Sequence, residues 1–122
     1  MRYLQTEAAP AAAGPYSQGI LGGKTIYVSG QLPLQDGELQ TNILEATTAS
    51  LNHVLSIVQS GGGKKENIVK CVVFIADMND FKEMNEAYAR FFGGHKPARS
   101  CIEVSRLPKD AVLEIEAIAV LD

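Results

Sequence analysis

The sequence predicts an α+β domain: one mixed sheet with two helices packed on a single face. Three observations carry this. Segments with the alternation of strands and segments with the spacing of amphipathic helices follow one another in the order β-β-α-β-α-β-β. The third strand is apolar almost without a break from Ile68 to Ile75, the pattern of a strand buried on both faces. The chain has 122 residues, 46% hydrophobic and 20% charged, which suits a single domain over residues 1–122 around one core.

The Ala- and Pro-rich AAPAAAGP reads as a lead-in. YSQGIL is the first strand, turned by Gly22 and Gly23 into KTIYVSG, where Ile26 and Val28 face one way and Thr25, Tyr27 and Ser29 the other. LPLQDGEL is a loop with an Asp-Gly turn signal. The first helix spans Thr41 to Ser60, with Leu44, Thr47, Leu51, Val54, Leu55 and Val58 at helical spacing, and the glycines from Gly61 to Gly63 stop it. NIVKCVVFIAD is the third strand. Asp80 and Glu83 have the spacing of a capping box at the start of the second helix, which runs to about Phe92 and buries Phe81, Met84, Tyr88 and Phe91 or Phe92. KPARSCIEV then alternates as a strand. Its Ser100, Ile102 and Val104 are expected toward the core, and Arg99, Cys101 and Glu103 on the opposite side. After the turn RLPKDA, the last strand sets Leu113, Ile115, Ala117 and Ala119 on one face and Glu114, Glu116, Ile118 and Val120 on the other.

Two helices cover only one face of such a sheet. Apolar residues on the second face of the third and last strands therefore predict an oligomer whose subunits bury that face. No apolar run approaches a membrane span. The N-terminal stretch has neither a secretory core nor transit-peptide composition, so a cytoplasmic protein with free Cys71 and Cys101 is expected. A net charge of −3 and only short basic clusters argue against nucleic acid as a partner. His53, read as solvent-facing, and His95, in a loop, lack a partner motif, so no metal site is expected. Phosphate-loop, dinucleotide and nucleophile-elbow motifs are absent.

If Ile102 and Ile115 both face the helices, then Arg99, Cys101, Glu103, Glu114, Glu116 and Ser29 share the second face. Glu114 and Glu116 would stand about 7 Å apart along their strand. This grouping has two readings. One is structural: cross-strand ion pairs, with Glu103 and Glu116 as partners for Arg99 or Lys70. The other is a small anion site, in which Arg99 grips a carboxylate with its planar fork and a glutamate handles a proton or a water. Cys101 reads chiefly as a small buried hydrophobe, with a reactive thiol as the alternative.

GPYSQGI at Gly14 to Ile20, VSGQLP at Val28 to Pro33, DMNDFKEMNEAYARFF at Asp77 to Phe92 and PARSCIEVSRLPKDAVLEIEAIA at Pro97 to Ala119 together resemble the Rid family, also called YjgF, the reactive intermediate deaminases. The resemblance covers nearly the whole chain in the right order. It implies a chorismate-mutase-like fold, a homotrimer with clefts between subunits, and cofactor-independent hydrolysis of 2-imino acids to 2-oxo acids and ammonia. Those imines arise from enamines such as 2-aminoacrylate and 2-aminocrotonate, released by pyridoxal-phosphate-dependent dehydratases. By the same resemblance Arg99 matches the carboxylate-binding arginine and Glu114 the water-activating glutamate. Tyr16 and Ser29 match the pocket tyrosine and serine, Gly30 and Asn85 match pocket-lining positions, and Cys101 matches a position whose backbone faces the ligand. The loop GGHK between Phe92 and Pro97 is shorter than in archetypal members, and the LQDGE turn is compact. Two other roles attributed to such proteins stand beside this one: an endoribonuclease or translation inhibitor, and a non-catalytic trimer that binds small carboxylates.

Overall fold

Strands and helices form largely where side-chain periodicity places them. The computed structural model describes Met1–Asp122. Its elements are β1 (Arg2–Leu4), β2 (Gly19–Gly22), β3 (Thr25–Gln31), β4 (Leu34–Gln35), β5 (Glu38–Leu39), α1 (Ile43–Ser60), β6 (Ile68–Ile75), α2 (Phe81–Phe92), β7 (Ala98–Glu103) and β8 (Leu113–Val120). Six strands make one sheet in the order β1-β2-β3-β8-β6-β7, and β4 and β5 form a separate hairpin. Every pair in the sheet is antiparallel except β6 with β7. A parallel pair needs a crossover, and α2 supplies it. Both helices pack on one face, over a single core that includes Leu51, Val54, Ile57, Met84 and Tyr88 from the helices and Ile26, Val73 and Ile115 from the sheet. No helix is long and apolar enough to cross a membrane.

Several local expectations are corrected. Ahead of the AAPAAAGP lead-in, Arg2–Leu4 adds an edge strand to β2 that was not expected. The first strand of the hairpin starts at Gly19 rather than Tyr16. The LPLQDGEL loop closes as the β4–β5 hairpin, with Asp36 (φ 52°) and Gly37 (φ 82°) both left-handed, as a type I′ turn requires. Helix α1 begins at Ile43 because the Asn42 side chain accepts from the amides of Leu44 and Glu45. The Asp80–Glu83 capping box does not form. A 3₁₀ turn at Met78–Asp80 runs directly into α2, so Asp80 lacks the extended cap backbone, and Asp77 accepts from the Asn79 amide instead. Phe81 is partly exposed at the start of α2, while Ala87 is buried. His53 is half-buried and its ring Nε2–H donates to the Leu34 carbonyl, pinning β4 against α1.

The largest correction concerns β7. In the parallel ladder Arg99 lies beside Cys71 and Cys101 beside Val73, and both β6 residues are buried under the helices. Arg99 and Cys101 therefore face α2, whereas Ser100 and Ile102 face out, Ile102 with 47% of its surface exposed. The alternation was right and its phase was inverted. Phe81, Met84, Asn85 and Tyr88 share the inner side of α2, and the mixed polar and aromatic slot they make accepts a guanidinium better than an isoleucine. On β8 the expected faces hold: Leu113, Ile115, Ala117 and Ala119 are buried, and Glu114, Glu116 and Ile118 lie half-exposed on the open side.

Candidate active site

Arg99 stands at the edge strand β7, half-buried against α2. Its Nη1 donates to Asn85 Oδ1 at 2.7 Å and approaches Met84 Sδ at 3.9 Å. The guanidinium carbon lies 4.8 Å from the centre of the Tyr88 ring and 5.6 Å from that of Phe81. No carboxylate pairs with it. The single ion pair in the protomer joins Arg106 to Asp110 in an exposed turn. Cys101, two residues along, packs at the rim of the core; burial raises its thiol pKa, against a smaller opposing pull from Arg99. A thiol so placed is less nucleophilic than a free one.

A second group gathers on the other side of the sheet. Between Val28 and Gln31 the register of β3 against β8 slips by a bulge, and Ser29 and Gly30 sit in it. The Glu114 carboxylate occupies the space above Gly30, where a Cβ would lie 2.5 Å from Glu114 Oε1. Burial, and then the neighbouring Glu116 carboxylate, push Glu114 above the ordinary carboxylate range. Ser29 Oγ donates to the Ser17 carbonyl at 2.6 Å. A concavity of about 540 Å³ is lined by Tyr16, Ser17, Tyr27, Ser29 and Glu116 among others, and a smaller one beside it by Tyr16, Gly30 and Lys109. Gln18 shapes this region. It is buried, its Oε1 accepts from the Thr6 amide, and its Nε2 donates to the carbonyls of Thr6, Ala9 and Pro10, which ties down the segment carrying Tyr16.

The seven expected site residues thus fall into two groups, Arg99 with Asn85 and Cys101, and Glu114 with Tyr16, Ser29 and Gly30. Arg99 shares a face with Cys71 and Ala117, while Glu114 is level with Phe74 and Ile102 on the opposite face. The expectation that Arg99 and Cys101 share the second face with Glu114 and Ser29 is overturned. The structural reading in which Arg99 pairs with Glu116 fails for the same reason, while Glu103, on Arg99's own side of β7, instead accepts from the Met78 amide at 2.7 Å. Two residues of consequence were not read as such from sequence: Gln18, and Tyr88, taken only as core. For Tyr88 a signal is present in the sequence. Phe81, Asn85 and Tyr88 recur at i, i+4 and i+7, which puts them on one helix face.

The profile of the family described as Endoribonuclease L-PSP matches residues 6–121. The chain belongs to this family, known also as YjgF or Rid. Among its members, the chain is 48% identical over 122 residues to the 2-iminobutanoate/2-iminopropanoate deaminase of Escherichia coli K12, covering 96% of this chain and 95% of that protein. A solved structure of E. coli TdcF with bound serine superposes with a TM-score of 0.96 at 44% identity, covering all (100%) of both chains. The E. coli YjgF gene product gives 0.95 at 46% identity over 98% of each chain. The Rid-like α+β fold expected from the sequence is therefore the fold of this chain.

Proposed function

We propose that this chain is a hydrolytic imine deaminase, converting reactive 2-imino acids to 2-oxo acids and ammonia. Its similarity over nearly full length to a named 2-iminobutanoate/2-iminopropanoate deaminase supports the activity. The observation that carries the chemistry is Arg99, a half-buried guanidinium at a sheet edge with no carboxylate partner. Such a cation has fork donors to spare for a small carboxylate.

The two half-sites lie on opposite faces, so a complete site needs an arginine edge from one subunit and a Glu114 face from the next. A heterologous contact of this kind, repeated around an axis, makes a ring where its rotation closes, and family resemblance gives that ring as a homotrimer. The open sheet face, with Tyr27, Ile102 and Val120 exposed, supplies the apolar surface for it.

The protonated imine carbon is already electrophilic, so the site orients more than it activates. Arg99, held by Asn85, grips the substrate carboxylate, and backbone near Cys101 completes that end. Glu114 accepts a hydrogen bond from a water and takes its proton as the oxygen bonds to the imine carbon. The C=N π pair passes to nitrogen and a carbinolamine results. A proton is then delivered to that nitrogen, the C–N bond breaks with its electrons leaving on ammonia, and the carbinolamine hydroxyl loses its proton to become the 2-oxo group. Tyr16 and Ser29 order the water or steady the carbinolamine. No step calls for a cofactor. The imine's natural suppliers are enzymes that release enamines by dehydration, pyridoxal-phosphate dehydratases among them, and the cytoplasm is where such enzymes meet this protein. The ribonuclease named in the family description finds little support in a chain of net charge −3.

The test is a coupled assay. A threonine dehydratase generates the imine in the presence of semicarbazide, and the protein is expected to reduce the trapped semicarbazone in proportion to its concentration. Trapping that is indifferent to the protein would reject the proposal.

A further inference from the structure

We infer that Tyr88 is a positioning residue for the substrate carboxylate, its ring acting as the platform that holds the Arg99 guanidinium ready for the anion. This rests on the reading of Arg99 as the carboxylate-binding group.

Of the amide and aromatic groups around Arg99, two stand nearest, with the Phe81 ring farther off at 5.6 Å. Asn85 takes Nη1 at 2.7 Å, and the Tyr88 ring lies beneath the guanidinium at 4.8 Å. Each choice of partner has a consequence. A carboxylate in place of the ring would neutralise the cation and compete with an incoming anion. An aromatic face holds a cation through its quadrupole and leaves the charge and the remaining N–H donors available. Tyr88 is well placed for this. It is buried on the inner turn of α2, and its hydroxyl has no oxygen or nitrogen partner. Beside that hydroxyl is the thiol of Cys71, the residue paired with Arg99 across the parallel ladder. The Phe92 ring packs against the Tyr88 ring at 4.8 Å between centres, tilted by 54°. The platform is therefore locked by the core, and the core carries its rigidity to Arg99.

The experiment reads the dissociation constant of 2-oxobutanoate and the steady-state constants for imine hydrolysis in a series at position 88. Tyr88→Leu removes the ring. Tyr88→Phe keeps it. Trifluorophenylalanine at the same position keeps the shape while draining negative charge from the ring face, so it folds wherever phenylalanine does. The expected result is a dissociation constant and KM raised about tenfold by leucine and by the fluorinated ring, with kcat little changed, and wild-type values rescued by phenylalanine. In an Arg99→Ala background the position-88 changes add nothing further. Equal affinity for phenylalanine and its fluorinated analogue would overturn the inference, as would a Tyr88→Leu effect of the same size with Arg99 absent. An Arg99→Ala protein that still binds 2-oxobutanoate as wild type would instead overturn the underlying reading of the site.

Discussion

A half-buried guanidinium without a counter-ion is costly unless something else compensates it, and at Arg99 the compensation is one amide oxygen and two aromatic faces. Under the proposed mechanism, loss of the side chain should cost function before it costs stability. Arg99→Ala removes a charge-assisted contact of about 1.5–3 kcal/mol together with substrate orientation, so turnover should fall roughly 10²-fold or more. Arg99→Lys should recover little, because an ammonium lacks the planar fork. Turnover and oligomer mass are to be measured on the same sample; an assembled Arg99→Ala protein with normal turnover would refute the mechanism. Glu114 offers a test of sign. As a base it works ionised, and its pKa is raised, first by burial and then by Glu116, so activity should decline as pH falls through a value above the ordinary carboxylate range. Glu116→Gln removes the like charge, lowers the Glu114 pKa, and should move the acidic limb of the kcat/KM profile to lower pH. A limb that stays in place would show that another group sets it. Cys101, whose thiol pKa is raised, should tolerate Cys101→Ser with most activity kept in the imine assay.

Elements differ in how clearly their sequences declare them. Strand β8 alternates apolar and acidic residues without exception from Leu113 to Glu116, and its faces are as read. Helix α1 is long enough for its period to dominate. Strand β7 is short, lies at the edge, and carries apolar and polar residues in both phases. Its phase is set by what α2 presents, which is tertiary information, so the alternation alone assigns Arg99 and Cys101 to the wrong face. Strand β1, of three residues, has too little pattern to be seen before it pairs. The two helix starts show the same limit. Asn42→Ala should cost about 1 kcal/mol in denaturant unfolding, as lost caps do. Asp80→Ala, at the N-cap expected from sequence, should cost much less, since its side chain caps nothing. The bulge in β3 is equally invisible in sequence, yet it determines the site, because Gly30 there leaves room for the Glu114 carboxylate. In Gly30→Ala the new methyl displaces that carboxylate. The expectation is a kcat lowered about tenfold or more by misplacing the base, with the melting temperature little changed because the displaced group is a flexible side-chain end. A kcat equal to wild type would separate Gly30 from catalysis.

At the scale of the molecule, the protomer carries the two groups of candidate site residues on opposite faces of one sheet and an open face that is apolar along much of its length. In the proposed ring, joining the edge of one copy to the face of the next would complete the site and cover that surface in one step. Assembly and catalysis are then the same property, and light scattering should find a trimer wherever the enzyme is active. A sharper test separates shared sites from self-contained ones. Arg99→Ala and Glu114→Gln each inactivate every site in a homogeneous trimer. When the two variants are unfolded together and refolded as an equal mixture, some interfaces combine the intact Arg99 of one subunit with the intact Glu114 of its neighbour. With random assembly around a ring, about one interface in four is of that kind, so activity should recover toward roughly a quarter of wild type. Refolding each variant alone supplies the baseline, and the mass of the mixed product shows that exchange occurred. Sites built within single protomers would recover nothing, since every chain lacks one of the two residues. Mixed trimers that remain at baseline would thus reject the divided site, however well each half-site is formed.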